Sequence, residues 1–115
     1  MAVLKRKSDQ KEILGRVGTA DRFHTRLVGL LSTKNLPQGQ GLWIHDCNSI
    51  HTFFMKYPID CIFLDANMKI VSLVPQVKPW RMVWPQFKAK SVIEMAADQL
   101  QKLDLQIGEE LYVGD

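Results

Sequence analysis

Residues 47–65, Cys-Asn-Ser-Ile-His-Thr-Phe-Phe-Met-Lys-Tyr-Pro-Ile-Asp-Cys-Ile-Phe-Leu-Asp, constrain the chain more than any other stretch. They read as two short apolar strands joined at Met55-Lys56-Tyr57-Pro58, with His51 and Asp60 set among large hydrophobes. Side chains alternate faces along a strand, so Ile50, Thr52 and Phe54 share one side, and His51, Phe53 and Met55 the other. Both faces carry apolar groups, as in strands covered above and below. A tight loop at Lys56-Tyr57 would set Phe53 opposite Asp60 and His51 opposite Ile62. His51 and Asp60 would then be diagonal neighbours, roughly 7–8 Å apart at Cβ. The loop lacks the Asn-Gly or Asp-Gly chemistry that favours tight hairpins.

A half-buried carboxylate must be paired or hydrogen-bonded, because unpaired burial costs several kcal/mol. Asp60 has two partners within reach of that reasoning. His51 would make a charged pair, and with Ser49, Thr52 or Cys47 as nucleophile, part of a catalytic triad. Backbone amides of the preceding turn would instead make Asp60 a structural brace, the commoner arrangement for a buried polar group. No Gly-x-Ser-x-Gly elbow, phosphate loop or dinucleotide fingerprint accompanies the pair. A metal site built on His45, Cys47, His51 and Asp60 needs a sharp bend at Asn48-Ser49, since Cys47 and His51 would lie about 13 Å apart on a continuous strand. No metal ligand and no cofactor is assigned.

The 115 residues suffice for one domain. Composition, 46% hydrophobic and 23% charged, is that of a soluble globular protein. A formal net charge of +3 is too small to argue for nucleic acid, which ranks lowest among the partners. Residues 1–34 nevertheless carry eight Lys/Arg against three acids, and a solvated basic face is the simplest reading. The two cysteines, Cys47 and Cys61, do not make a disulfide framework and are expected on opposite faces as small buried hydrophobes. No transmembrane run or signal peptide is visible, which suits a cytoplasmic protein, or a periplasmic or envelope one whose export leader has been removed.

Residues 1–10 read as a flexible basic N-terminus and residues 11–115 as a single β-rich domain. Strands are expected at 11–19, 41–46, 70–74, 91–96 and 107–113, with a helix from Asp21 to about Ser32 and a second, short helix capped by Asp98. Six or seven short strands with one or two short helices indicate a mainly β fold, a β-sandwich or jelly-roll-like domain or a partly closed barrel. Lys78-Pro-Trp-Arg-Met-Val-Trp-Pro85 is the strongest binding candidate. Trp80 and Trp84 flank Arg81, so stiff aromatic surface alternates with cations and suits a glycan, a peptide or another small molecule. The competing reading folds both indoles down as a lid over the barrel end. Glu94, between Ile93 and Met95, is the expected partner of Arg81.

Ile50-His-Thr-Phe-Phe-Met-Lys-Tyr-Pro-Ile-Asp-Cys-Ile-Phe-Leu-Asp65, with Val71, Pro79-Trp-Arg81, Val92-Ile-Glu94 and Arg26-Leu-Val-Gly-Leu30, resembles a known family. It is similar to the small prokaryotic proteins grouped as domain of unknown function 192, in the branch that reads Ile-His-Thr-Phe-x-Met. The resemblance covers about residues 13–113 and implies a mainly β, jelly-roll-like single domain. It also implies relatives that often carry export signals, and brings no established activity, cofactor or partner. The family's characteristic polar residues fall on His51, Asp60, Asp65, Arg81 and Glu94. Asp98 stands where the family usually has glycine, and the usual leader is missing. The expected role is a non-catalytic ligand- or partner-binding module working through His51, Asp60, Trp80, Arg81, Trp84 and Glu94. The alternative is a small hydrolase or metal-dependent enzyme using His51 and Asp60.

Overall fold

Two six-residue runs with every side chain buried, Ile59–Leu64 (β5) and Ser91–Ala96 (β8), lie side by side at the centre of the protein. Strands so uniformly buried need cover on both faces, and the rest of the chain supplies it. A computed structural model describes residues 2–20, 36–53 and 55–114. The remaining strands are β1 (Ala2–Arg6), β2 (Glu12–Ala20), β3 (Gln40–His45), β4 (Ile50–His51), β6 (Ile70–Val77), β7 (Met82–Val83) and β9 (Leu111–Gly114). One helical turn, α1 (Gln99–Lys102), precedes β9. The helix expected from Asp21 lies outside the described residues. Among those residues no helix is long and apolar enough to cross a membrane.

Seven strands form one open sheet in the order β6-β5-β8-β3-β2-β1-β9, and β4 and β7 form a separate two-stranded ribbon. All pairs in the large sheet are antiparallel except β2 with β3. The sheet curls until its edges touch at one corner. There Lys69 bridges Glu110, and Ile70 N–H donates to Glu109 O while Leu111 N–H donates to Met68 O, both at 2.9 Å. The protein is thus a mainly β single domain, as expected, with its large sheet partly closed on itself.

Burial divides by strand parity. Ile44, Ile59, Cys61, Phe63 and Val92 point to one face and are covered by Cys47, Ile50, Met55 and Ala89, with Tyr57 and Val83 at the margin. Ile62, Leu64, Ile93 and Met95 point to the other, where Leu4, Leu14, Ile70 and Leu111 complete the core. Leu100, Leu103 and Leu105 pack against that second cluster.

Three expectations need correction. Residues 2–6 form β1, between β2 and β9 with Leu4 fully buried, because the apolar start Ala-Val-Leu outweighs the basic run that follows. Arg6, itself 9% exposed, secures this corner through Glu109 and Asp9 at 3.0 and 3.1 Å and through the carbonyl of Asp104. Cys47 and Cys61 are buried thiols on the same side of the sheet, because the segment carrying Cys47 folds over the face that Cys61 lines. The hairpin expected at Lys56-Tyr57 does not form: β5 pairs with β6 and β8, and β4 pairs with β7. With apolar groups on both sides, neither run specifies its neighbour by pattern, and the Tyr57-Pro58 connection leads away from pairing.

Gly41 marks the tightest approach between strands. A Cβ there would stand 2.6 Å from Leu14 Cδ1 and 3.0 Å from the Glu94 carbonyl oxygen. The leucine can swing aside; the backbone oxygen, held in the β3–β8 ladder, cannot. Gly41→Ala is therefore expected to destabilise the fold by roughly 1–3 kcal/mol through overpacking, read as a lower urea midpoint. A midpoint equal to that of the parent would mean that the ladder opens freely at this position.

Candidate functional site

Asp60 sits on β5, fully buried. Its Oδ1 accepts the N–H of Gln76 and its Oδ2 the N–H of Leu100, both at 2.8 Å. The first bond exists because β6 bulges. Ile59 pairs with Val77 but Cys61 with Val74, so Pro75 and Gln76 together face Asp60. Gln76 adopts a left-handed φ of 55° that turns its amide toward the carboxylate. Pro75 has no amide to lose, which suits it to the bulge. The second bond caps α1 from outside. Asp98 occupies the N-cap position with φ 69° and makes no side-chain capping bond, so the expected local cap is replaced by Asp60. Asp98 instead accepts from the Gln76 side-chain amide.

Glu94 is also fully buried, but its strand parity sets it on the opposite face, beside Cys61 and Leu42. Arg81 is exposed and donates to the Trp80 carbonyl at 3.5 Å, so the expected Arg81–Glu94 pair is not formed. His51 is exposed on β4. The two candidate catalytic residues are thus divided, one on the surface ribbon and one sealed beneath α1. Among the described residues, no three His, Cys, Asp or Glu side chains converge as metal ligands do. Asp65, another of the polar positions named above, holds the β5–β6 turn by accepting Asn67 N–H at 2.8 Å and Lys69 N–H at 2.9 Å.

What the structure does bring together lies on the β4–β7 ribbon. Directly opposed residues of an antiparallel pair share a side. Ile50 and Val83 face the core, so His51 and Met82 face out. The His51 and Phe53 rings are 4.9 Å apart, and Phe53 stacks on Trp80 at 5.9 Å. Trp84 directly follows β7. Trp80, Met82, Trp84 and Phe87 are 56, 54, 75 and 90% exposed, four of the five large hydrophobics on the surface of the described structure. The indoles do not form a lid.

Thr52, fully buried, holds this surface in place. Its N–H donates to Arg81 O at 2.8 Å and its carbonyl accepts the Trp80 N–H at 2.9 Å. Its hydroxyl donates to Lys78 O at 2.5 Å and accepts the Arg81 N–H at 2.9 Å. One residue therefore binds the loop 78–81 to the strand that carries His51, and Trp80 takes up a left-handed φ of 64° within that loop. The sequence singled out Thr52 as a candidate nucleophile and not as this anchor, and it did not single out Phe53, Met82 or Phe87. The anchoring role of Thr52 was legible in its setting, as a hydroxyl beside aromatic residues that must find buried partners.

The model of the family designated DUF192, Uncharacterized ACR, matches residues 3–113. The chain belongs to this family. Among DUF192 relatives, it is 37% identical over 117 residues to a UPF0127 protein of Thermococcus sibiricus, covering 95% of this chain and 73% of that one. It is 33% identical over 106 residues to a UPF0127 protein of Pyrococcus furiosus, covering 88 and 89%. A crystal structure of a protein of unknown function from Novosphingobium aromaticivorans superposes with a TM-score of 0.77 at 14% identity, over 96% of this chain and 82% of that one. That likeness bears on the fold, and the DUF192 relatives bring no activity with them.

Both buried brackets are testable. Asp60→Asn retains one acceptor oxygen but aims an amide donor at a second backbone N–H. It is expected to lower stability by roughly 1–3 kcal/mol and to speed amide exchange at Leu100; an unaltered denaturation midpoint would reject the brace. Thr52→Val keeps the shape and removes the hydroxyl, leaving the Arg81 N–H and the Lys78 carbonyl short of a partner. A loss of about 1–2 kcal/mol is expected, with faster exchange at Trp80 and Arg81. Full protection at both amides would show that the backbone bonds of Thr52 suffice.

Proposed function

We propose that this protein is a non-catalytic binding module, and that its working surface is the outward side of the β4–β7 ribbon: His51, Phe53, Trp80, Met82 and Trp84, with Arg81 at the margin. The observation that carries this reading is the concentration of exposed aromatic and thioether surface on an element fixed by Thr52. Large apolar side chains scattered singly need no explanation, whereas several on one small ribbon mark a contact surface. Rigid rings lose little conformational entropy on binding, and their flat faces suit sugar rings, peptide side chains or other small molecules.

Asp60 and Glu94 contribute to this function by holding the scaffold, not by touching the ligand. Their burial on opposite faces of the sheet favours that division of labour over a catalytic site. The hydrolytic alternative required His51 and Asp60 within reach of a common substrate, and the two backbone amides on Asp60 already use both of its oxygens.

The test is an amide and indole chemical-shift titration of the labelled protein against zinc, a panel of cell-wall sugars, short peptides and an oligonucleotide. At least one of these is expected to shift the Trp80 and Trp84 indole signals together with the amides of 50–53 and 80–84. Trp84→Ala should abolish the response without lowering the melting temperature. Shifts confined to other surfaces, or substrate turnover lost on His51→Ala, would overturn the proposal.

A further inference from the structure

The charge around the exposed rings is one-sided. Segments 50–57 and 78–88 contain Lys56, Lys78, Arg81 and Lys88 and not a single Asp or Glu. All four cations are exposed. The ion pairs between described residues use Arg6 and Lys7, at the corner where β1 meets β9, and none of these four. On a chain whose formal net charge is only +3, these segments carry cations with no acid between them in sequence. Uncompensated like charges repel one another, and a ligand that neutralises them recovers that energy while being steered to the site.

We infer that the partner is an acidic segment of another protein, extended in conformation, with carboxylates interleaved among large apolar side chains. The inference rests on the binding-surface reading above and specifies what occupies it. Charge complementarity gives the sign of the partner. The composition gives its class. Trp, Phe, Met and Arg are the residues enriched at protein interfaces, and Trp and Arg recur at their energetic centres. Met82, between Trp80 and Trp84 on the outward side of β7, is decisive between peptide and nucleic acid. A flexible thioether adapts to the branched and aromatic side chains of a peptide, whereas a row of bases calls for a flat ring at each step. The cations at the margin then meet carboxylates while the rings and Met82 receive the apolar anchors.

The experiment is selection of a randomised displayed peptide library on the intact protein, with counter-selection on the W84A variant. The expected consensus alternates Asp or Glu with Leu, Ile, Phe or Trp. A synthetic peptide of that consensus should bind the parent and weaken roughly five- to tenfold on the K78E/R81E double variant. It should also weaken as salt rises, since exposed charge pairs are screened. Circular dichroism melts of each variant establish that it is folded.

A consensus without acidic residues, still dependent on Trp84, would overturn the charge inference and leave the binding surface standing. Failure to enrich any peptide over the W84A control would overturn the acidic peptide, and sugar titration of the Trp84 indole would then decide whether the surface itself survives. Tighter binding of oligo(dT) than of the selected peptide, with a steep salt dependence, would replace the peptide by a single-stranded nucleic acid.

Discussion

The carboxylate of Asp60 is the interaction on which the architecture rests. It lies in the most deeply buried strand, where a lone charge would be prohibitive, and it is tolerated because two backbone amides converge on it. Each amide belongs to a different element. Gln76 is turned inward by a bulge in β6, and Leu100 lies in α1, which covers the second core cluster. A neutral side chain could pack in this strand, but it could not satisfy both donors. The acid thereby fixes the position of an edge strand and of a four-residue helix too short to hold itself in place.

The two faces of the sheet meet different demands. One is closed by the curl of β1, β2 and β9 and by α1, and its residues are engaged in packing. The other is closed by the segments 47–57 and 83–89, whose inner side is core and whose outer side is free to differ. Ile50 and Val83 serve the first purpose; His51 and Met82, one residue away, serve the second. Alternation along two very short strands is enough to separate folding from recognition.

Much of this was legible in the residues, and the failures have a common cause. β3 and β8 fall where apolar runs bounded by turn residues put them, within a residue at either end. That Asp60 must be satisfied by hydrogen bonds followed from its apolar setting, but its partners lie 16 and 40 residues downstream, beyond any local pattern. The pairing of β4 was misread for the same reason. Its partner is a two-residue strand after a proline-tryptophan loop, attached by the backbone and hydroxyl of Thr52, and no hydrophobic periodicity marks a strand so short. The exposed tryptophans were recognisable as surface candidates, because flanking cations argue against burial. That they adjoin His51 required the fold.

Trp80 carries one more implication. An L-residue with a side chain pays about 1 kcal/mol or more to adopt left-handed backbone geometry, and glycine would relieve it. At Gly39 and Gly108 the chain does use glycine for positive φ, yet at Trp80 it retains the bulkiest side chain of all. The indole is more than half exposed, so burial returns little of that energy to the fold. The loop therefore holds its ring in a conformation that stability alone would not select. Replacing it by glycine would ease the backbone and erase the ring, which makes this position a place where robustness and recognition pull in opposite directions.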